Sequence, residues 1–200
     1  MSFSRQNTIC LPSLRSPITR FPSISEKGGL TERSTNGLSS RARSIGCPAV
    51  CRDEIKEGMA YGSPEFAPSP GDELTVRTLP VFFGVLELLV RAGVTTVAEA
   101  AFQDHVWRPR LAPLRDLAHL RIVHCIVDTD VAVQRMMRRR EEHPLRRVHA
   151  DPRPEEAETY AEQREAFRRV SLDAPWIEVD TTDGYKPGLA EIVAFVADAN

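Results

Sequence analysis

Between Gly93 and Phe102 the chain reads Val94-Thr95-Thr96-Val97-Ala98, then Glu99, then Ala100-Ala101-Phe102. A short run of β-branched and small apolar residues, bounded by a glycine, is the pattern of a strand buried on both faces, the kind found in parallel sheets. Such a strand must be covered on each side by another layer, which restricts the chain to a layered architecture. Glu99 interrupts the run at its far end. In open parallel sheets ligands bind beyond the carboxyl ends of the strands, so an acid there can reach a substrate or metal while its strand stays dry. Capping the next helix or pairing with an arginine is the plainer role for it.

The surrounding sequence supplies the partners of that strand. Pro48-Ala49-Val50-Cys51 is a short strand that runs into a helix over Arg52–Gly58, with Asp53 as N-cap. Pro64 to Gly71 is a proline-rich loop. Asp72 opens a long apolar helix that reaches Ala92, contains Pro80 and stops at Gly93. A helix marked by prolines spans His105–Leu117, a buried strand Arg121–Val127, and a helix Val131–Glu142 that ends in Arg138, Arg139 and Arg140. His143 to Pro154 is a polar loop with Arg146, Arg147 and His149. A charged helix over 155–170, a strand Trp176–Asp180 and a helix Pro187–Ala197 complete the chain. Strands alternating with helices predict an α/β fold, a parallel sheet with helices on both faces and right-handed crossovers.

Residues 1–45 are of another kind. Ten serines, prolines at 12, 17 and 22 and no sustained period predict a poorly ordered segment, with the α/β domain occupying 46–200. It is also Ser-rich, basic and poor in acids, as organelle transit peptides are, but it has no clear amphipathic stripe. Residues 1–46 carry seven Lys or Arg against two acids, which leaves the remainder with 19 bases and 26 acids. A mildly acidic body argues against nonspecific nucleic-acid binding, which needs a basic field to displace counterions. Four scattered cysteines without a secretory signal predict free thiols and a cytoplasmic location. The longest apolar run, Val81–Val90, is half of what a bilayer span requires, so no membrane association is expected.

Asp53 follows the first predicted strand, Glu99 ends the second, and the arginine-dense segment follows the third, so all three converge on the carboxyl edge of the sheet. Two acids on one rim can hold a divalent cation or accept a hydroxyl proton, and mobile arginines can neutralise phosphate charge. The plainer alternatives are a helix cap and a solvated basic face.

The runs Arg52-Asp53-Glu54-Ile55-Lys56-Glu57 and Val97-Ala98-Glu99-Ala100-Ala101-Phe102, the arginine-rich segment and Val179-Asp180-Thr181-Thr182 together resemble the small P-loop kinases of the AAA-type ATPase group, related to chloramphenicol phosphotransferase and zeta toxins. The resemblance covers Gly46–Val196. It implies an ATP- and Mg2+-dependent phosphotransferase acting on a hydroxyl of a small molecule. It also implies Asp53 as base, Glu99 near the magnesium, Arg138, Arg139, Arg140, Arg146 and Arg147 on the nucleotide phosphates, and Thr182 near the adenine.

One family feature is missing. Such kinases begin with a strand running into G-x-x-x-x-G-K-[ST], whose amides cradle the phosphates. No such motif occurs in these 200 residues; the nearest fragment is Gly29-Leu30-Thr31-Glu32-Arg33-Ser34-Thr35. The alternative function is therefore a non-catalytic pseudokinase that senses nucleotide or binds a partner. The resemblance places the family's first strand at the centre of the sheet, between the third and fourth, so something must fill that slot. Asn7–Leu11 and Ser16–Phe21 are the N-terminal stretches with strand character. A shifted upstream reading frame, divergence, or replacement of the strand by residues 1–45 would each account for the change of pattern at Gly46.

Overall fold

The computed structural model describes residues 3–11, 46–142, 144–149 and 167–198. The chain is α/β. Its strands are β1 (Phe3–Leu11), β2 (Ala49–Cys51), β3 (Thr96–Ala100), β4 (Arg121–Asp128) and β5 (Trp176–Asp180). The helices are α1 (Arg52–Tyr61), α2 (Glu73–Arg91), α3 (Asp104–Leu111), α4 (Thr129–Glu142) and α5 (Leu189–Ala197), and Ala112–Asp116 and Pro144–His149 form 3-10 turns.

The strands form one sheet in the order β2-β3-β1-β4-β5. β2 pairs parallel with β3, and β4 parallel with β5. Both faces are buried, as the two-residue period of a strand requires. Val50, Ala98, Ala100 and Ile122 pack on one face with Phe82, Leu86, Trp107 and Leu111 of α2 and α3. Cys51, Val97, Val123 and Val179 pack on the other with Ile192, Val193 and Val196 of α5. On the first face Phe82, Phe83, Phe102 and Trp107 stack mostly edge to face, with Phe82 and Trp107 centroids 5.6 Å apart.

The central strand corrects the all-parallel expectation. β1 fills the slot between β3 and β4, but it runs antiparallel to both: Ile9 faces Ala98 on one side and Ile122 on the other. Ile9 and Leu11 are fully buried. The sheet thus takes in residues N-terminal to Gly46, which the sequence reading had set outside the domain. Of the two N-terminal candidates, Asn7–Leu11 lies inside β1, while Ser16–Phe21 and the rest of 12–45 lie outside the described residues. Most of the helix expected over 155–170 lies outside them too.

The reversal has a geometric consequence. Leu11 stands opposite Thr96, the first residue of β3, so the chain leaves β1 at the amino edge of the parallel strands; Phe3, opposite Asp128, begins at the carboxyl edge. A loop following β1 therefore starts at the edge opposite to the one that holds Asp53 and Glu99.

Smaller differences are local. The N-cap of α1 is Cys51, and Asp53 sits inside the first turn, where its charge suits the helix dipole. Asp72 caps α2, accepting from the Thr75 N–H at 2.7 Å. α2 continues through Pro80. Pro187 precedes the Gly188 cap of α5 rather than occupying its first turn. Among the described residues no helix is long and apolar enough to cross a membrane.

Candidate functional site

β2 ends at Cys51, and α1 starts at once, which brings Asp53 to the carboxyl edge of the sheet. Cys51 and Glu99 are partners across the β2–β3 ladder, and the Cys51 thiol donates to Glu99 Oε2 at 3.7 Å. Burial, the Glu99 charge and then the Asp53 charge push the Cys51 thiol up to about 12, so it is no nucleophile at neutral pH. Burial pushes Cys47 up to about 11.

Asp53 is the hub of an ion-pair cluster. Arg146 donates to its Oδ2 at 2.7 Å, Arg52 donates to its Oδ1 at 3.1 Å, and His149 Nδ1 lies 3.8 Å from Oδ1. The other His149 nitrogen lies 2.9 Å from Glu57 Oε1. Burial pushes the Asp53 carboxyl up, but the charges of His149 and Arg146, the Arg146 hydrogen bond and the Arg52 charge outweigh it and hold it at about 2. The cluster joins α1 to the 3-10 turn Pro144–His149, whose Val148 is buried.

A carboxyl held below its ordinary 3.8 stabilises the fold above that pH, and the contribution disappears as pH falls towards about 2. The Asp53 side chain is 35% exposed, so solvent screening keeps the contribution small. Asp53→Asn is accordingly expected to lower the urea midpoint at pH 7, with the difference from wild type closing as pH is taken from about 4 to about 2. A difference that stays constant across that window would contradict the pairing.

The other residues expected at the site are placed as follows. Glu99, next to last in β3, stands at the same edge as Asp53. Arg138 and Arg140 are exposed on α4, and Arg147 is exposed on the 3-10 turn. Arg139 Nε donates to the Arg135 carbonyl at 3.3 Å. Thr182 belongs to the turn after β5: its hydroxyl accepts from the Asp128 N–H at 2.9 Å, and its carbonyl accepts from Arg135 at 3.0 Å. The structure thus gathers Asp53, Glu99 and Arg146 at one edge.

Arg52, Glu57 and His149 also belong to the cluster, although the sequence reading gave them no role there. Two spacings pointed to them. Asp53 and Glu57 stand four apart on one helix face, and Arg146 and His149 three apart in one helical turn.

Asp53 is engaged by two guanidinium groups, and β1 directs its following loop to the far edge. Among the described residues no group of three or more His, Cys, Asp or Glu could hold a metal ion.

No family model matches the chain, and no curated protein matches it. Among solved structures, a putative kinase from Chloroflexus aurantiacus j-10-fl is similar with a TM-score of 0.62 and 19% identity, over 80% of this chain and 87% of that one. At that identity the likeness is one of fold.

Proposed function

We propose that this chain is a kinase-like domain acting as a pseudokinase, a binding module that keeps the acid-and-arginine rim of a phosphotransferase without the phosphate cradle. The observation that carries the reading is the direction of β1. Phosphoryl transfer depends almost wholly on positioning and charge stabilisation around the phosphates. A cradle needs backbone amides at the rim where Asp53 and Glu99 stand, and the sequence has no G-x-x-x-x-G-K-[ST] to make one. What the rim offers instead is a set of fixed charges, Asp53, Glu57 and Arg52, suited to holding a polar ligand or partner by charge-assisted hydrogen bonds.

The test is ATP turnover by the purified 200-residue chain with magnesium. No turnover above a buffer control is expected, and none gained on adding small hydroxylated acceptors. Turnover that vanishes in Asp53→Ala would overturn this reading in favour of a second one. That second reading is an ATP-dependent phosphotransferase acting on a small-molecule hydroxyl, with Asp53 as base, Glu99 at the magnesium and the arginines on the nucleotide. The placement of Asp53 and Glu99 at the carboxyl ends of the paired strands β2 and β3 favours it.

A further inference from the structure

The turn Pro144–His149 reaches the candidate site from far along the chain and carries both side chains that close over it. Arg146 takes Asp53 Oδ2 at 2.7 Å, and His149, whose side chain is 4% exposed, lies 2.9 Å from Glu57 Oε1. Each contact spends a carboxylate that the rim would otherwise present. The docked turn sets Arg146 beside Arg52 on Asp53, and lifting it leaves the rim more negative by one charge. Val148 adds a buried apolar anchor. On the outward side Leu145 and Arg147 are exposed, so the turn has one face on the rim and one in solvent.

We propose that Pro144–His149 is a self-docked strap: its Arg146 guanidinium and His149 ring occupy the carboxylates of the rim as an internal ligand, and it must lift before Asp53 can meet anything else. The opened rim favours a cationic group, because that is what the strap supplies when closed. The strap bears on the proposed function only through the shared rim; the latch stands or falls on its own contacts, and its test involves no ATP.

Trypsin provides that test, since Arg146 and Arg147 are cleavage points inside the strap, and Arg121, buried at the start of β4, reports opening of the sheet. Asp53→Asn/Glu57→Gln removes the charges on the rim and leaves every arginine in place. Cleavage after Arg146 and Arg147, followed by mass spectrometry, is expected to quicken about tenfold or more, because proteolysis tracks the population of the locally open form. In low urea the strap rate should also climb far less steeply with denaturant than cleavage after Arg121, since a local opening exposes less surface than unfolding of the sheet. Glu57→Gln alone, a milder change, should quicken strap cleavage by a smaller factor. Strap cleavage at the wild-type rate in both variants overturns the proposal. So does a strap rate with the same urea dependence as the Arg121 rate, since the strap would then open only with the whole sheet.

Discussion

Deleting residues 1–11 is expected to abolish cooperative unfolding, because the deletion removes the middle strand and turns a five-stranded sheet into two unconnected edges. β1 is paired along both sides, from Asn7–Leu11 against β3 and from Phe3–Cys10 against β4. Each backbone group left buried and unpaired costs about 1–3 kcal/mol, so a few such groups exceed a net stability of about 5–15 kcal/mol. Ile9 and Leu11, both fully buried, would leave their volume to water or to collapse. Ile9→Pro is the point-mutation form of the same test: it removes a ladder N–H from the central strand and is expected to lower the urea midpoint. Urea unfolding followed by far-UV circular dichroism reads both. A truncated chain with the full-length midpoint would show that β1 does not hold the sheet together.

Lys56→Met is expected to cost about 3–5 kcal/mol, the penalty for stranding one member of a buried ion pair. Lys56 is 2% and Asp72 4% exposed, with Nζ to Oδ2 at 2.8 Å. Lys56 also donates to Thr75 Oγ1 at 2.9 Å and lies 5.6 Å from the centre of the Phe66 ring. The pair clamps α1 to the start of α2 across the proline-rich loop. Because Lys56 stands three residues after Asp53, it also fixes the helix that presents the candidate site. Burial pushes the Asp72 carboxyl up, but hydrogen bonds from Lys56 and Thr75 outweigh it and hold it below its ordinary value.

In wild type the pair's contribution is therefore complete above the ordinary aspartate range and is lost as pH falls through the lowered value. Without Lys56 the balance reverses: a stranded carboxylate is relieved by taking up a proton, so the urea midpoint of Lys56→Met should rise on mild acidification while that of wild type does not. Lys56→Met/Asp72→Asn should recover most of the loss, since asparagine retains the cap and carries no charge. A single-variant loss below about 1 kcal/mol, typical of an exposed pair, would contradict the burial.

The same site shows how far residues speak for themselves. β3 was legible because a buried strand advertises itself over five residues, and α2 because its apolar residues repeat at helical spacing between Asp72 and Gly93. Asp53 and Glu99 were legible as rim residues because each stands at or just after the carboxyl end of a strand pattern in sequence. The partners of Asp53 were not legible, since Arg146 lies 93 residues away and His149 further still; only the docking of the turn Pro144–His149 onto α1 makes them neighbours. Arg135 looked like one of a row of arginines, yet its two guanidinium nitrogens donate to the Thr181 and Thr182 carbonyls and fasten the turn after β5.

By itself the sequence determined the order of the described strands and helices after Gly46, the burial of β3 on both faces and the acids at the rim, because these follow from local periodicity and from which residues stand at the strand ends. The direction of the central strand was decided by tertiary structure alone. A strand's residues alternate between faces whichever way it runs, and either direction satisfies its N–H and C=O groups, so nothing within Phe3–Leu11 encodes the choice. That choice settles which edge the following chain reaches, and with it whether the rim holding Asp53 and Glu99 can include a phosphate cradle.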